Sequence, residues 1–191
     1  MIRTQLRPAL TTFALLTVIV GIIYPLAVTG VAQVVFPYQA NGSVMTSHDQ
    51  ATGSALIGQP FDDPRYFWGR LSATSPFPYN SAASSGSNYG PMNPDYLKAV
   101  QVRIDALKAA DPNNTAPIPV DLVTASGSGL DPQISVAAAL YQVPRVARAR
   151  QLSEEAVRQI VLQYTENRQL GILGEPRVDV LQLNLALDAQ K

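Results

Sequence analysis

No residue between Pro8 and Ser47 carries a charge, and within that run Ala9 to Phe36 (ALTTFALLTVIVGIIYPLAVTGVAQVVF) is almost wholly apolar. At about 1.5 Å of rise per helical residue, roughly 20 apolar residues cross the ~30 Å hydrocarbon core of a bilayer. The stretch therefore predicts one transmembrane helix over 9–36. Arg3 and Arg7 precede it, and the next Lys or Arg is Arg65. Cationic flanks stay on the cytoplasmic side, so residues 1–8 are expected to be a cytoplasmic tail, with everything from Pro37 onward outside. A cleaved signal peptide, with Gly30-Val31-Ala32 as its small-residue site, needs a shorter apolar middle of about 7–15 residues. A buried core helix is normally shorter too, and shows a polar face.

The chain has 191 residues, so about 150 remain beyond the span, enough for one domain with a real core. The partition expected is a membrane-proximal neck with the first strand over 37–60, then an extracytoplasmic α+β domain over 61–191. The 14 basic and 14 acidic residues balance, and with Arg3 and Arg7 inside the remainder is slightly acidic. That charge gives no footing for nucleic acid. The sequence has no cysteine, which removes disulfides and thiolate chemistry.

Within the span, Thr17 and Gly21 lie four apart on one helical face, a small-xxx-small pair that lets another helix approach closely. Tyr24-Pro25 follows; proline removes a backbone hydrogen bond and kinks a helix unless neighbours compensate. Thr17, Gly21, Tyr24 and Pro25 are thus the predicted contact with a partner helix, and Thr29-Gly30 adds a second small patch.

Beyond the neck, Ser54–Phe61 and Tyr66–Leu71 read as short strands joined by the turn Asp62-Asp63-Pro64, and Ser72–Pro94 reads as a long Ser/Gly/Asn/Pro loop. Asn93 caps and Pro94 opens a helix whose apolar positions are Leu97, Val100, Ile104 and Leu107, ending before Pro112. Asp131-Pro132 predicts a second start, running towards Gln142, with Pro144 as an interruption. Ser153 caps a third helix with Glu154 and Glu155 in its first turn and Val157, Ile160, Val161 and Tyr164 on its inner face. Val178–Leu187 predicts a brief strand passing into a helix capped by Asp179. The fold class is α+β: one transmembrane helix, then a single mixed, largely helical soluble domain.

Chemistry is sparse. His48 stands beside Asp49 in the neck without the convergent ligands a metal needs, and Asp62-Asp63 is explained by a turn before proline. The loop Ser126-Gly127-Ser128-Gly129 is the place a nucleotide phosphate would be sought, together with Ser84–Gly90. Yet no Lys follows as in a Walker motif, Asp131 repels phosphate, and Ser126 and Leu130 break a nucleophile-elbow pattern. No catalytic, cofactor-binding or metal residue is assigned. Arg145, Arg148, Arg150 and Arg158, mixed with Glu154 and Glu155, read as a solvated, salt-bridged face.

The pieces YPLAVTG, FPYQANGSV, LIGQPF, YFWGRLSAT, SGSNYGP, PVDLVTASGSGLDPQIS, YQVPRVARAR and GEPRVDVLQLNLALD, in this order, resemble the KdpC subunit family of the bacterial Kdp potassium-transporting ATPase over nearly the whole chain. Leu71 replaces a usual Pro after Gly-Arg, and Asp179 a usual Asn. The resemblance implies a non-catalytic single-span subunit of the inner membrane. Its partners would be a channel-like potassium-binding subunit and a P-type ATP-hydrolysing subunit, which themselves handle potassium and ATP. The family is described as a catalytic chaperone raising the pump's ATP affinity, and as ATP-binding. An outer domain meets no ATP, so such an effect would have to pass through the membrane. The competing class is a membrane-anchored periplasmic solute-binding or hydrolytic domain acting alone, which requires a pocket with convergent polar groups.

Overall fold

The computed structural model describes residues 2–47 and 50–190, so the reading of His48 and Asp49 lies outside the described residues. The chain divides into two compact units, Met1–Val44 and Met45–Lys191.

The first unit is helical: α1 (Ile2–Val18), a π-helical turn (Ile19–Ile23), α2 (Tyr24–Val35) and the single turn α3 (Pro37–Ala40). Thr4–Val35 is one continuous stretch of 32 residues, none of it buried within the unit, and long and apolar enough to cross a membrane. Pro25 produces not a break but a wider turn before it. Its ring presses on the Gly21 carbonyl four residues back and offers that carbonyl no N–H. The Tyr24 N–H instead reaches the Ile19 carbonyl, five residues back, the bond that defines a π turn. Tyr38 Oη donates to the Ser43 carbonyl at 3.0 Å and closes the turn after α3.

In the second unit, β1 (Val44–Ser47) and β2 (Gln50–Ser54) form a two-stranded sheet. The main sheet is three-stranded: β3 (Gln133–Ser135), β4 (Thr165–Glu166) and β5 (Arg177–Asp179) in the order β3-β5-β4, both pairs antiparallel. Val178 lies opposite both Ile134 and Thr165. Helices α4 (Pro94–Ala110), α5 (Val136–Arg150), α6 (Glu154–Gln163) and α7 (Val180–Asp188) complete the unit. Val143 and Val146 of α5, Val157 and Val161 of α6, and Leu183 and Leu187 of α7 are fully buried with Val178. Each such side chain contributes about 1.5–3 kcal/mol through apolar burial. Leu107 brings α4 into the same core, as its spacing predicts.

The expected caps at α4, α6 and α7 are present. Asn93 accepts from the Asp95 N–H, Ser153 from Ala156 and Asp179 from Gln182, each quieting an orphan donor of a first turn. The strand-then-helix reading of Val178–Leu187 holds.

Four expectations are corrected. No helix starts at Asp131: its carboxylate takes the Gln133 N–H and the Arg70 guanidinium, leaving residues 133–135 free to pair with β5, and Ser135 caps α5 instead. Pro144 does not interrupt α5, which runs through it to Arg150. The missing hydrogen bond to Leu140 costs about 3 kcal/mol. The buried residues on either side, Val143, Arg145, Val146 and Ala147, outweigh it. Of Ser54–Phe61 only Ser54 is in a strand. Tyr66–Leu71 is extended but joins neither sheet, apart from a single bridge from Leu71 to Ala125.

Candidate functional site

The two Gly/Ser loops, far apart in sequence, meet in space. Ser85 N–H and Ser84 Oγ both donate to the Ser128 carbonyl, at 2.9 and 3.0 Å. Ser128 Oγ accepts from the Leu130 N–H, and the Ser126 N–H donates to the Leu71 carbonyl. Gly129 sits at φ +70°, and a Cβ there would stand 2.6 Å from the Ser85 carbonyl oxygen. A Cβ on Gly86 would stand 2.7 Å from the Gly127 oxygen. The glycines at 86 and 129 thus permit two backbones to touch, and the Ser85 N–H and Ser84 hydroxyl are turned to the Ser128 carbonyl.

Beside this seam, Arg70 pairs with Asp131 at 3.0 Å, and its carbonyl accepts from Tyr79 Oη at 2.6 Å. Burial pushes the Tyr79 hydroxyl up to about 12. A cavity of about 550 Å³ opens next to Arg70, Asp121, Asp131 and Arg177. Asp121 is engaged by the Ser135 N–H and Oγ. A larger cleft of about 740 Å³ lies between α4 and the 72–94 loop, lined by Tyr89, Tyr96, Lys98 and Arg103 among others. Arg103 points its guanidinium at the Gly69 and Leu122 carbonyls. Among the described residues no group of three or more His, Cys, Asp or Glu converges as a metal ion requires.

The arginine group is a solvated face only in part. Arg145 is 3% exposed and lies 4.4 Å from the centroid of the Trp68 ring, with Arg103 at 5.0 Å. It donates to the Pro64 and Tyr66 carbonyls, and burial holds it below the usual arginine range, at about 10. Arg148 binds the buried Asp111, and Arg150 binds Asp188 and lies over Tyr66. Arg158, near Glu155 at 3.9 Å, and the exposed Arg148 fit the expected salt-bridged surface. The carbonyls of Pro64, Arg65 and Tyr66 and the rings of Tyr66 and Trp68 draw Arg145 and Arg150 inward, while Arg148 stays half exposed.

In the helical unit nothing lies within 4 Å of a Cβ built on Gly21 or Gly30, so both small positions open onto empty space. In a regular helix Thr17 and Thr29 would be rotated about 120° apart. A π turn absorbs one residue and leaves about 20° between them. The Thr17/Gly21 and Thr29/Gly30 patches then share one face, with Tyr24 64% exposed at the π turn.

Sequence reasoning passed over one feature. The turn Gln169–Leu173 leaves Leu170 89% and Ile172 74% exposed. Its signal was Leu170, Ile172 and Leu173 set around Gly171 and before Gly174, read only as the end of a region.

One exposed apolar helix of membrane-crossing length, joined to a small α+β unit built around a three-stranded sheet, defines the class: an anchor-plus-domain protein. The profile of the family described as KdpC, K+-transporting ATPase, c chain, matches residues 6–189. A potassium-transporting ATPase KdpC subunit of Herpetosiphon aurantiacus is 66% identical over 189 residues, covering 99% of this chain and 98% of that one. The KdpC subunit of Dechloromonas aromatica is 61% identical over 187 residues, 98% of each chain. That of Methylococcus capsulatus is 62% identical over 183 residues, 96% of each. The chain belongs to the KdpC family of subunits of the K+-transporting ATPase.

Proposed function

We propose that the chain is the non-catalytic, single-span subunit that holds the Kdp complex together. It assembles with the channel-like potassium-binding subunit and the P-type ATP-hydrolysing subunit, which bind potassium and ATP themselves. Thr17, Gly21, Tyr24 and Pro25 form its contact with a partner helix. Residues 1–8 lie in the cytoplasm, and the domain lies on the outer face of the inner membrane. The observation that carries the non-catalytic reading is the seam between the two Gly/Ser loops, where the Ser85 N–H and the Ser84 hydroxyl are spent on the Ser128 carbonyl and the Ser126 N–H on the Leu71 carbonyl. A chaperone-like effect on ATP affinity then acts through the span.

The absence of cysteine makes orientation directly testable. Single Gln5→Cys and Met92→Cys variants are treated in spheroplasts with a membrane-impermeant maleimide. Cys at 92 is expected to react, and Cys at 5 only after lysis. The reverse pattern would overturn the orientation and restore direct access to ATP. Tagged full-length chain is expected to bring both partners out of detergent-solubilised membranes; hydrolysis of ATP by the chain alone would refute the non-catalytic role.

A further inference from the structure

Helix α7 clamps the extended segment before Trp68. Its Asn184 bonds both backbone groups of Phe67, and its Asp188 accepts from Tyr66 Oη at 3.1 Å and from Arg150 Nη2 at 2.8 Å. Leu183 and Leu187 seat the helix in the core. The clamp starts at one carboxylate: Asp179, the last residue of β5, takes the Gln182 N–H on Oδ1 at 2.8 Å.

That carboxylate is poorly provided for. Asp179 is 3% exposed, and its Oδ2 is buried with no hydrogen-bond partner. A buried charge needs a counter-charge or a full set of hydrogen bonds. Among the described residues no cation pairs with it. Arg177, on the same strand, is spent on Glu166 at 2.9 Å, and Arg70 on Asp131 at 3.0 Å. Glu166 of β4 and Asp131, just before β3, instead set two negative charges near it, and its partner across β3 is the uncharged Gln133. The cations of α5 serve other groups: Arg145 the Pro64 and Tyr66 carbonyls, Arg148 Asp111, Arg150 Asp188. In α6, Arg158 stands by Glu155. A proton on Oδ2 removes the buried charge and leaves Oδ1 to keep the cap.

We propose that Asp179 is a proton-operated latch: protonated, it seats α7 and the Tyr66–Phe67 segment that α7 holds; ionised, it lets both open while the rest of the second unit stays folded. Burial, opposed by the Gln182 N–H and helped by Glu166 and Asp131, pushes the carboxyl up to about 6. The latch is therefore fully shut below pH ~4, the value of a free carboxyl, and is released as pH rises through about 6. With the domain outside, as proposed above, the medium it senses is the one beyond the inner membrane. The exchange test below does not depend on that orientation, which the maleimide labelling decides separately.

Amide hydrogen exchange of the full chain in detergent tests the latch. At pH 7.5 the amides of 180–188 and of Phe67 are expected to exchange faster than those of 154–163 in α6, the mark of an opening smaller than global unfolding. After correction for the intrinsic pH dependence of exchange, their protection is expected to be about tenfold greater at pH 5. Asp179→Asn keeps an acceptor for the Gln182 N–H without the charge. It is expected to give that greater protection at both pH values, and Asp179→Ser, a second uncharged cap, to do likewise. Exchange in α7 no faster than in α6 at pH 7.5 overturns the proposal, as does protection equal at the two pH values. So does a pH effect that survives both variants, which would belong to another group such as His48, the single histidine, whose type titrates in the same range.

Discussion

The carboxamide of Gln142 stands beside Trp68 as the peptide of a neighbouring strand would. Its Oε1 accepts from the Trp68 N–H at 2.8 Å, and its Nε2 donates to the Trp68 carbonyl at 3.1 Å. Asn184 does the same for Phe67, at 2.8 and 3.0 Å. Both amides are 1% exposed. Two side chains, one from α5 and one from α7, thus replace a ladder and let an extended segment cross the core with its backbone satisfied.

Replacing Gln142 with Leu removes these bonds and the one Oε1 accepts from Arg145 Nη2 at 2.6 Å. Orphaned buried groups cost about 1–3 kcal/mol each, so a loss of about 3 kcal/mol or more is expected. Trp68 is the sole tryptophan and reports its own environment. Its fluorescence during urea unfolding of the full chain in detergent measures the loss; an unchanged midpoint would contradict the pseudo-strand role.

Asp179 caps α7 through one carboxylate oxygen, while the other is buried without a partner. Burial, with smaller contributions from Glu166 and Asp131, pushes its carboxyl up to about 6. A carboxyl whose folded pKa is raised favours the native state when protonated. Its stabilisation is full below pH ~4, the unfolded value, and is lost as pH rises through about 6. Asp179→Asn keeps an acceptor for the Gln182 N–H without the buried charge. The variant is expected to be more stable than the natural chain by about 1–3 kcal/mol at pH 7.5 and to lose that advantage near pH 4. Equal stabilities at both pH values would show that the carboxyl is not raised.

The seam predicts which glycines matter. Gly129→Ala places a Cβ against the Ser85 carbonyl at a left-handed φ and is expected to cost about 2–3 kcal/mol. Gly127→Ala meets nothing within 4 Å and is expected to stay within about 0.5 kcal/mol of the natural chain. A phosphate cradle would make both glycines sensitive. ATP is expected to bind no more tightly than a Kd of about 1 mM, so millimolar ATP should barely shift the melting of either variant. Micromolar ATP affinity abolished by Gly127→Ala would reverse this reading.

What the sequence made legible was local. Caps at Asn93, Ser153 and Asp179, the inner face of α6 and the length of the apolar helix follow from short-range rules that no long-range contact overrides. The failures share one cause: the deciding partner is far away in the chain. Tyr66–Leu71 has a strand's composition, but its hydrogen bonds come from Gln142 and Asn184, which periodicity cannot announce. Asp131-Pro132 looks like a helix start until Arg70 claims the carboxylate. Arg145 looks like surface charge until Trp68 and two carbonyls bury it. The predicted contact residues Thr17, Gly21, Tyr24 and Pro25 do fall around one feature, the π turn, although the sequence announced only a proline disturbance there.

That feature gives the span its sharpest test. Apart from its own helical backbone, nothing stands within 4 Å of a Cβ on Gly21, so Gly21→Leu meets no neighbouring side chain at Cβ and keeps the segment apolar. Membrane insertion should therefore be unaffected. The leucine would, however, fill the groove that Thr17 and Gly21 open, and a partner backbone would lose close packing over many atom pairs. A hydrogen bond from Thr17 across helices adds only about 0.6 kcal/mol, so sterics outweigh polarity and Thr17→Val should be mild. Pro25→Ala restores the missing N–H, lets the π turn relax to a regular helix, and rotates the Thr29/Gly30 patch away from Thr17 by about 100°. Gly21→Leu and Pro25→Ala are expected to reach the membrane in normal amount but to lose most of the co-purifying partner subunits, as is a chain whose span is replaced by polyleucine. Normal assembly and potassium uptake by the polyleucine chimera would reduce the helix to an anchor and leave the second unit to make the contacts that matter.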